Sequence, residues 1–395
     1  MTRRAVGWPL LVQAGLVLGG YAAVRPMTGY RAIELQAGNT GIGLLAASFS
    51  VLPLLLAYPV GRQADRFGPA RLMVVGVVLF TGAGVLAMLA GSLPVLLVAS
   101  ALLGLGQLVS VVGQQATVAV SGTANLDRGF GLLTAAGAVG QAVGPLLAAG
   151  AASVPGVGPS PAAVGLAVGT AICAASALCL RPLLRAAPRS RAPAPRSSWR
   201  VAAGMVGVPG MAATLVAGGV VLAALDLLSV FLPAWADERG VPVAAVGGLL
   251  ALRAVVTLLA RLVVDRVVAR AGRRLTMVAS IAVAGLGLLV LPLVRLPGAA
   301  VIMLLLGIGL GVAQPLAMSW VADAARPGTR GAAMGLRLTA NRLAQTALPV
   351  AVGAFSAGAA GVFWAVGALL ALSAGALLRM PPDRTRPPAP PAKGL

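Results

Sequence analysis

Twelve separate apolar runs, each long enough to cross a bilayer as a helix, constrain this chain more than any other feature. They fall near 7–28, 41–61, 72–91, 94–120, 129–152 and 162–180, then near 204–233, 243–264, 275–294, 299–322, 331–354 and 362–378. About 20 apolar residues span the hydrocarbon layer, and inside lipid a single segment satisfies its own backbone groups only as a helix. With 59% hydrophobic and 10% charged residues in 395, the chain lacks the polar surface to cover a water-soluble globule. The expected fold class is therefore all-α, a membrane protein of twelve transmembrane helices. Arg3 and Arg4 ahead of the first run resemble a secretory leader, but eleven further runs make it a first helix. Between the sixes, Arg181 to Arg200 carries six arginines with Pro182, Pro188, Pro193 and Pro195, the composition of a solvated connection. The expected organisation is an N-terminal bundle over 1–180, a cytoplasmic linker over 181–203, a C-terminal bundle over 204–379 and a disordered tail over 380–395.

A net charge of +21 would suggest nucleic acid for a soluble protein, so the placement of the charges decides. They sit in the loops, and no nucleic-acid-binding motif accompanies them. Lys and Arg accumulate on cytoplasmic loops. Arg3, Arg4, Arg62, Arg66, Arg71, Arg128, the linker, Arg261, Arg266, Arg270, Arg273, Arg274, Arg326 and Arg330 fall on one side, against Arg31, Arg239 and Arg295 on the other. Both termini are expected inside. Trp8, Trp199 and Trp320 at inner ends, with Trp235 and Trp364 at outer ends, fit interfacial indoles. A composition rich in Ala, Gly, Val and Arg with a single lysine points to a high-GC bacterium, hence to a multi-pass protein of its plasma membrane. Cys173 and Cys179 lie in an apolar run and read as small core residues.

The halves also match in sequence. Leu103-Gly104-Leu105-Gly106 answers Leu306-Gly307-Ile308-Gly309, and Gly131, Leu132, Gln141 and Pro145 answer Gly335, Leu336, Gln345 and Pro349 at a constant offset of 204. Two parallel six-helix repeats about an axis along the membrane normal are implied.

The loop between spans two and three reads Gly61-Arg62-Gln63-Ala64-Asp65-Arg66-Phe67-Gly68-Pro69-Ala70-Arg71. It is similar to the G-x-x-x-D-R-x-G-[RK]-[RK] signature of the major facilitator superfamily, with Pro69 and Ala70 in place of the basic pair. A tight turn needs the freedom of Gly68, and Pro69 suits a first helical turn. A looser copy, Asp265-Arg266 followed by Gly272-Arg273-Arg274, stands in the second half. The resemblance covers essentially the whole chain and implies a gating role for Gly61, Asp65, Arg66, Gly68, Arg71, Asp265 and Arg266. In span five, Gly131, Gly140, Gly144 and Pro145 match the spacing G-x8-G-x3-G-P-x2-G-G of the family's proton-coupled exporters, with Ala148-Ala149 replacing the last pair. That resemblance implies the drug:proton antiporter-like branch; close packing of small residues is the other reading of the same glycines.

Ionisable groups inside the spans are functional candidates, because a charge at mid-bilayer costs about 3 kcal/mol or more unless it faces the bundle interior. They are Arg25, Asp226, Arg253, Arg337 and Arg342. At 1.5 Å per residue, Asp226 and Arg253 lie at depths agreeing within about 5 Å, which allows an ion pair that breaks and reforms, or a permanent structural one. The chain has no histidine, so Asp226 is the first candidate proton carrier and Glu34, near the outer end of span one, the second. Arg25 either faces the interior or snorkels outward, and Arg31 is spaced to pair with Glu34. Arg337, Asn341, Arg342 and Gln345 form a polar face on span eleven, with Gln141 opposite and Gln107, Gln114 and Gln115 as further lining.

The expected function is secondary active transport of a small organic solute by alternating access, coupled to protons and directed outward. The alternative is an importer or uniporter of a sugar, organic anion or metabolite, and a non-transporting receptor is a third reading. An enzyme is not expected, since neither a nucleophile with its base nor a set of metal ligands assembles. No P-loop motif is present, and the only lysine is Lys393. The expected partners are the solute, the proton and the lipid bilayer, with no cofactor, metal or nucleic acid, and the chain is expected to act as a monomer.

Overall fold

The computed structural model describes residues 7–120, 126–186, 204–208, 210–324, 330–356 and 358–379. The tail over 380–395, most of the linker, Arg326 and Trp199 lie outside the described residues. Twelve long helices account for the described chain, with no strand among the described residues. They are α1 (Trp8–Glu34), α2 (Asn39–Phe67), α3 (Pro69–Leu89), α4 (Leu93–Val120), α5 (Leu126–Ala152) and α6 (Pro161–Ala175) in one half. The other half holds α7 (Met211–Asp237), α8 (Val243–Ala271), α9 (Arg273–Val290), α10 (Leu296–Ala324), α11 (Arg330–Phe355) and α12 (Gly358–Leu378). Beyond α6 the chain continues through a 3-10 turn, Ser176–Cys179, into a short helix, Leu180–Ala186, so the start of the expected linker is helical.

Local chemistry sets the boundaries. Pro69 and Pro161 occupy first-turn positions, where a missing N–H costs nothing, and the Ser160 hydroxyl accepts from Ala163 N at 3.2 Å to cap α6. The run expected from 204 does not become helix at once. A 3-10 turn, Met205–Gly207, comes first, and Gly210 at φ 84° precedes the start of α7 at Met211.

Eleven of the twelve helices are long and apolar enough to cross a membrane. The exception is α11, whose arginines and amides lower its hydropathy and of which Asn341, Arg342 and Gln345 face inward. The repeat inferred from sequence is visible in the boundaries: α2 and α8 are related by 204 residues at both ends. It is visible in packing too. Helix α1 packs on α5 and α6 as α7 packs on α11 and α12, and α3 packs on α4 as α9 packs on α10. Between halves, α2 meets α11, α8 meets α5, and α1 meets α7.

These interfaces are crossed copies of one contact. Gly43 in α2 lies against the Pro349 carbonyl in α11, while Gly247 in α8 lies against the Pro145 carbonyl and Ala149 in α5. Each residue has its counterpart at the same offset of 204. Small residues let two backbones approach closely enough for dispersion contacts. The Asn39 Nδ2 donates to Ser356 O and the Thr40 Oγ1 to Gly353 O, both at 3.4 Å. All these contacts lie on the side of the α1–α2 and α7–α8 turns, so the halves are closed there.

The sequence-derived details divide. Cys173 and Cys179 are buried and free. Trp8 and Trp364 are exposed, but Trp235, expected at the interface, is fully buried, with the Arg239 guanidinium 5.0 Å from its ring centroid. Arg239 also donates to Pro292 O at 2.7 Å, and Arg31 donates to Ala90 O at 2.8 Å. Arg31 and Arg239, two of the three arginines expected on the outer side, are thus loop fastenings.

The α2–α3 and α8–α9 turns, the two loops expected to gate, have closely similar shapes. Gly68 and Gly272 have φ 88° and 79°, ψ 144° and 155°, and each caps the following helix. The second copy therefore needs a corrected register. Gly272 answers Gly68, so Arg270 answers Arg66 and Ala269 stands where Asp65 would; Asp265 lies one helical turn earlier. Asp265 and Arg266 are both exposed on α8, and Arg71 is exposed on α3. The Arg66 guanidinium lies 5.4 Å from the Phe67 ring centroid. The side chains of Arg62 and Asp65 lie outside the described residues.

Candidate functional site

Below the closed side, a cavity of about 280 Å³ lies between the halves. Both repeats line it, through Tyr21 and Arg25 of α1, Phe49 of α2, Gln107 of α4 and Gln141 and Pro145 of α5. From the second repeat come Asp226 of α7, Arg253 and Arg261 of α8, Gln314 of α10, and Asn341, Arg342 and Gln345 of α11. A smaller space of about 120 Å³ continues toward the end of the bundle where α1 begins and α12 finishes. It shares Gln141 and Arg261 with the first and adds Gln114, Gln115 and Thr134. The cavity thus continues away from the closed end.

Asp226 is the centre of the wall. It is 4% exposed and held from both halves. The Tyr21 hydroxyl donates to Oδ1 at 3.1 Å, the Gln345 amide donates to Oδ2 at 2.6 Å, and an Arg25 guanidinium nitrogen lies 3.8 Å from Oδ1. The Arg342 guanidinium in turn donates to Gln345 Oε1 at 3.3 Å. Arg25 is 2% exposed and stacked 4.4 Å from the Phe49 ring centroid, a cation–π contact. Tyr21 leans on the same ring, its centroid 5.5 Å away. Arg25 therefore faces the interior and does not snorkel.

The expected Asp226–Arg253 pair is not formed. Matching depths fix the height of two side chains but not their direction. Helix α1 packs against α7 and delivers Arg25 to the carboxylate, whereas α8 packs chiefly on α5 and α10. Arg253 lines the same cavity with its Nε lacking a hydrogen-bond partner.

Glu34 is elsewhere. It pairs with Arg31 at 2.7 Å, accepts from the Ser160 hydroxyl at 3.0 Å and from Ala162 N at 3.3 Å, and so fastens the end of α1 to the start of α6. Arg337 is half-buried and outside the cavity lining, so the polar face of α11 reaches the cavity through Asn341, Arg342 and Gln345 only. In α5, Gly140 and Gly144 lie against the backbone of Gly15 and Gly19 in α1. Added side chains would collide there, so packing accounts for these two glycines, while Pro145 lines the cavity and Gly131 faces open space.

Two lining residues escaped the sequence reading. Arg261 looked like a loop charge because the apolar run ends near 264, but α8 continues to Ala271 and keeps Arg261 well inside the helix, where it donates to Gly311 O at 3.3 Å. Gln314, an isolated amide beside Pro315 in an otherwise apolar helix, was the available signal on α10.

Comparison with known proteins places this architecture. The family model described as Major Facilitator Superfamily matches residues 10–251 and 214–395. No curated protein matches at the sequence level. Among solved structures, a variant of the nucleoside transporter NupG superposes with a TM-score of 0.80 at 14% identity, covering 94% of this chain and 99% of that one. A D-xylose-proton symporter gives 0.76 at 16% identity, covering 95% and 97%. The inward open conformation of the xylose transporter XylE from E. coli also gives 0.76 at 16%, covering 95% and 96%. At such identities the likeness is one of fold.

Proposed function

The chain belongs to the major facilitator superfamily, as a multi-pass secondary transporter and not an enzyme, and from that premise we propose that it carries a small polar solute by alternating access coupled to protons. Asp226 is the group that loads and unloads the proton. One observation carries this reading: the only carboxylate among the described residues of the cavity wall belongs to one half yet is held by Tyr21 and Arg25 of the other. Rocking the halves to open the closed side must change those distances. Arg25 and Asp226 compensate each other's charge only while the halves hold them together, so the conformational step and the proton step are linked.

With both termini taken as cytoplasmic from the charge of the loops, the end of the bundle toward which the smaller space lies faces the cytoplasm and the closed side faces out. The α2–α3 and α8–α9 turns then lie on the cytoplasmic side, where Arg66, Arg71, Asp265 and Arg266 suit contacts made when that side closes. Of the motif that suggested efflux, Gly140 and Gly144 are accounted for by the α1–α5 packing. The nucleoside and xylose transporters that share the fold are similar in architecture, and a proton symporter is among them. Coupling is therefore proposed without a bias toward export.

The test is purified protein in liposomes with an internal pH dye. Solute-dependent proton flux in the native protein that disappears in Asp226→Asn supports the reading, and the sign of the flux gives symport or antiport. Solute movement without proton flux, unchanged in the variant, sinks it.

A further inference from the structure

Resting on the transport reading above, we infer that the solute is a small organic oxyanion, a carboxylate or phosphate, bound by Arg25 and Arg253 when Asp226 is protonated. Among the described residues, the charged groups lining the cavity are four guanidiniums, Arg25, Arg253, Arg261 and Arg342, and one carboxylate, Asp226. A charged group withdrawn from water needs a partner. Arg342 and Arg261 spend donors on Gln345 and the Gly311 carbonyl. Arg25 does not: its Nε and both terminal nitrogens lack hydrogen-bond partners, since 3.8 Å to Asp226 gives charge compensation without a hydrogen bond. The Arg253 Nε is likewise unpartnered, as is the donor Gln314 Nε2 on the same wall, while the single unpartnered acceptor among the described lining residues, Asn341 Oδ1, is open to a hydroxyl of the solute.

Asp226 is already satisfied by Tyr21 and Gln345. What the cavity lacks is acceptor atoms for guanidinium forks, which bind planar carboxylates and phosphates through paired N–H groups. Leu222, Leu225, Leu250 and Leu338 form the remaining wall and suit the solute's carbon body.

The geometry also orders the events. Asp226 is faced by Tyr21 and Arg25 from α1, Phe49 from α2, Arg253 and Arg261 from α8, Gln314 from α10, and Arg342 and Gln345 from α11; α12 carries no titratable residue. A proton on Asp226 removes the wall's one negative charge and leaves Arg25 uncompensated. The solute's oxyanion takes that role, so proton and anion bind as a pair, each raising the affinity for the other. Neutral Asp226 is the accepting form, and affinity rises as pH falls.

The experiment is exchange of radiolabelled malate, gluconate and phenyl phosphate across proteoliposomes, with xylose and uridine as neutral probes. Exchange requires no net proton movement, so it reads solute class separately from coupling. Exchange of at least one anion is expected, tighter at low pH in the native protein and indifferent to pH in Asp226→Asn. Arg253→Gln is expected to weaken it about tenfold or more. The double variant Arg25→Gln with Asp226→Asn, which leaves no buried charge unpaired at that place, does the same. Arg295→Gln, in a loop away from the cavity, leaves it unchanged. Malate and gluconate against phenyl phosphate separate carboxylate from phosphate. Failure of every anion overturns the inference, and if xylose or uridine then exchanges with pH-linked proton flux, the transport reading stands without it. Anion exchange unaffected by Arg253→Gln and by the double variant overturns it too. Anion exchange indifferent to pH in the native protein overturns the pairing with the proton and the coupling, and leaves the anion class.

Discussion

Two carboxylates near α1 illustrate how much a residue's surroundings decide. Asp226 is enclosed, held by Tyr21 and Gln345 and faced by Arg25. Glu34 is partly exposed and tied to Arg31 and the start of α6. Asp226→Asn keeps the shape and removes the charge, and is expected to abolish solute-driven proton movement in liposomes. Glu34→Gln is expected to leave proton movement intact and to lower stability by about 1 kcal/mol or less, the scale of an exposed ion pair, read as a small drop in unfolding temperature in detergent. Both residues were visible in the sequence, Asp226 as the acid well inside a span and Glu34 as an acid near the end of span one. Their difference was not, because exposure and partners depend on which helix stands next to α1 and α7.

Helix contacts separate two kinds of glycine. Gly140 and Gly144 meet Gly15 and Gly19 inside one half, between α5 and α1. A side chain there forces apart two helices that the proposed rocking keeps together, so Gly140→Val is expected to destabilise the fold by about 1–3 kcal/mol, the usual cost of overpacking, measured as loss of thermal stability. Gly43 and Gly247 sit between halves, against the carbonyls of Pro349 and Pro145. A side chain at either interferes only with the closed arrangement. Gly43→Val and Gly247→Val are therefore each expected to shift the population toward opening of that side, seen as faster maleimide labelling of a cysteine placed at Ser356, with little loss of fold. Similar effects from both would reflect the two-fold relation between their contacts; no change in labelling from either would mean that the side chain is absorbed locally. Helix α11 shows how a span can be recognised by its apolar run and still carry the site: the most polar of the twelve, it fills the place that α5 fills in the first half, with Asn341, Arg342 and Gln345 turned to the cavity.

Across the whole molecule, alternating access requires the α2–α11 contact to part and reform. Joining Asn39→Cys to Ser356→Cys, whose native side chain and carbonyl meet at 3.4 Å, is expected to stop transport by more than tenfold, with recovery on reduction; full transport after verified cross-linking would mean that this side need not open. The sequence by itself determined the number of helices, the division into sixes and the repeat, because hydropathy and a constant offset are properties of the chain read in order. It also marked Asp226, Arg25, Gln141 and Gln345, since a polar residue inside an apolar run stands out wherever it points. The tertiary structure decided who meets whom. Rotation about a helix axis and the choice of neighbouring helix put Arg25 rather than Arg253 beside Asp226, brought Arg261 into the cavity, left Arg337 out of it and turned two glycines of an exporter-like motif into a packing seam. Those relations depend on how helices distant in sequence are set against one another, and linear spacing carries depth along a helix but not direction around it.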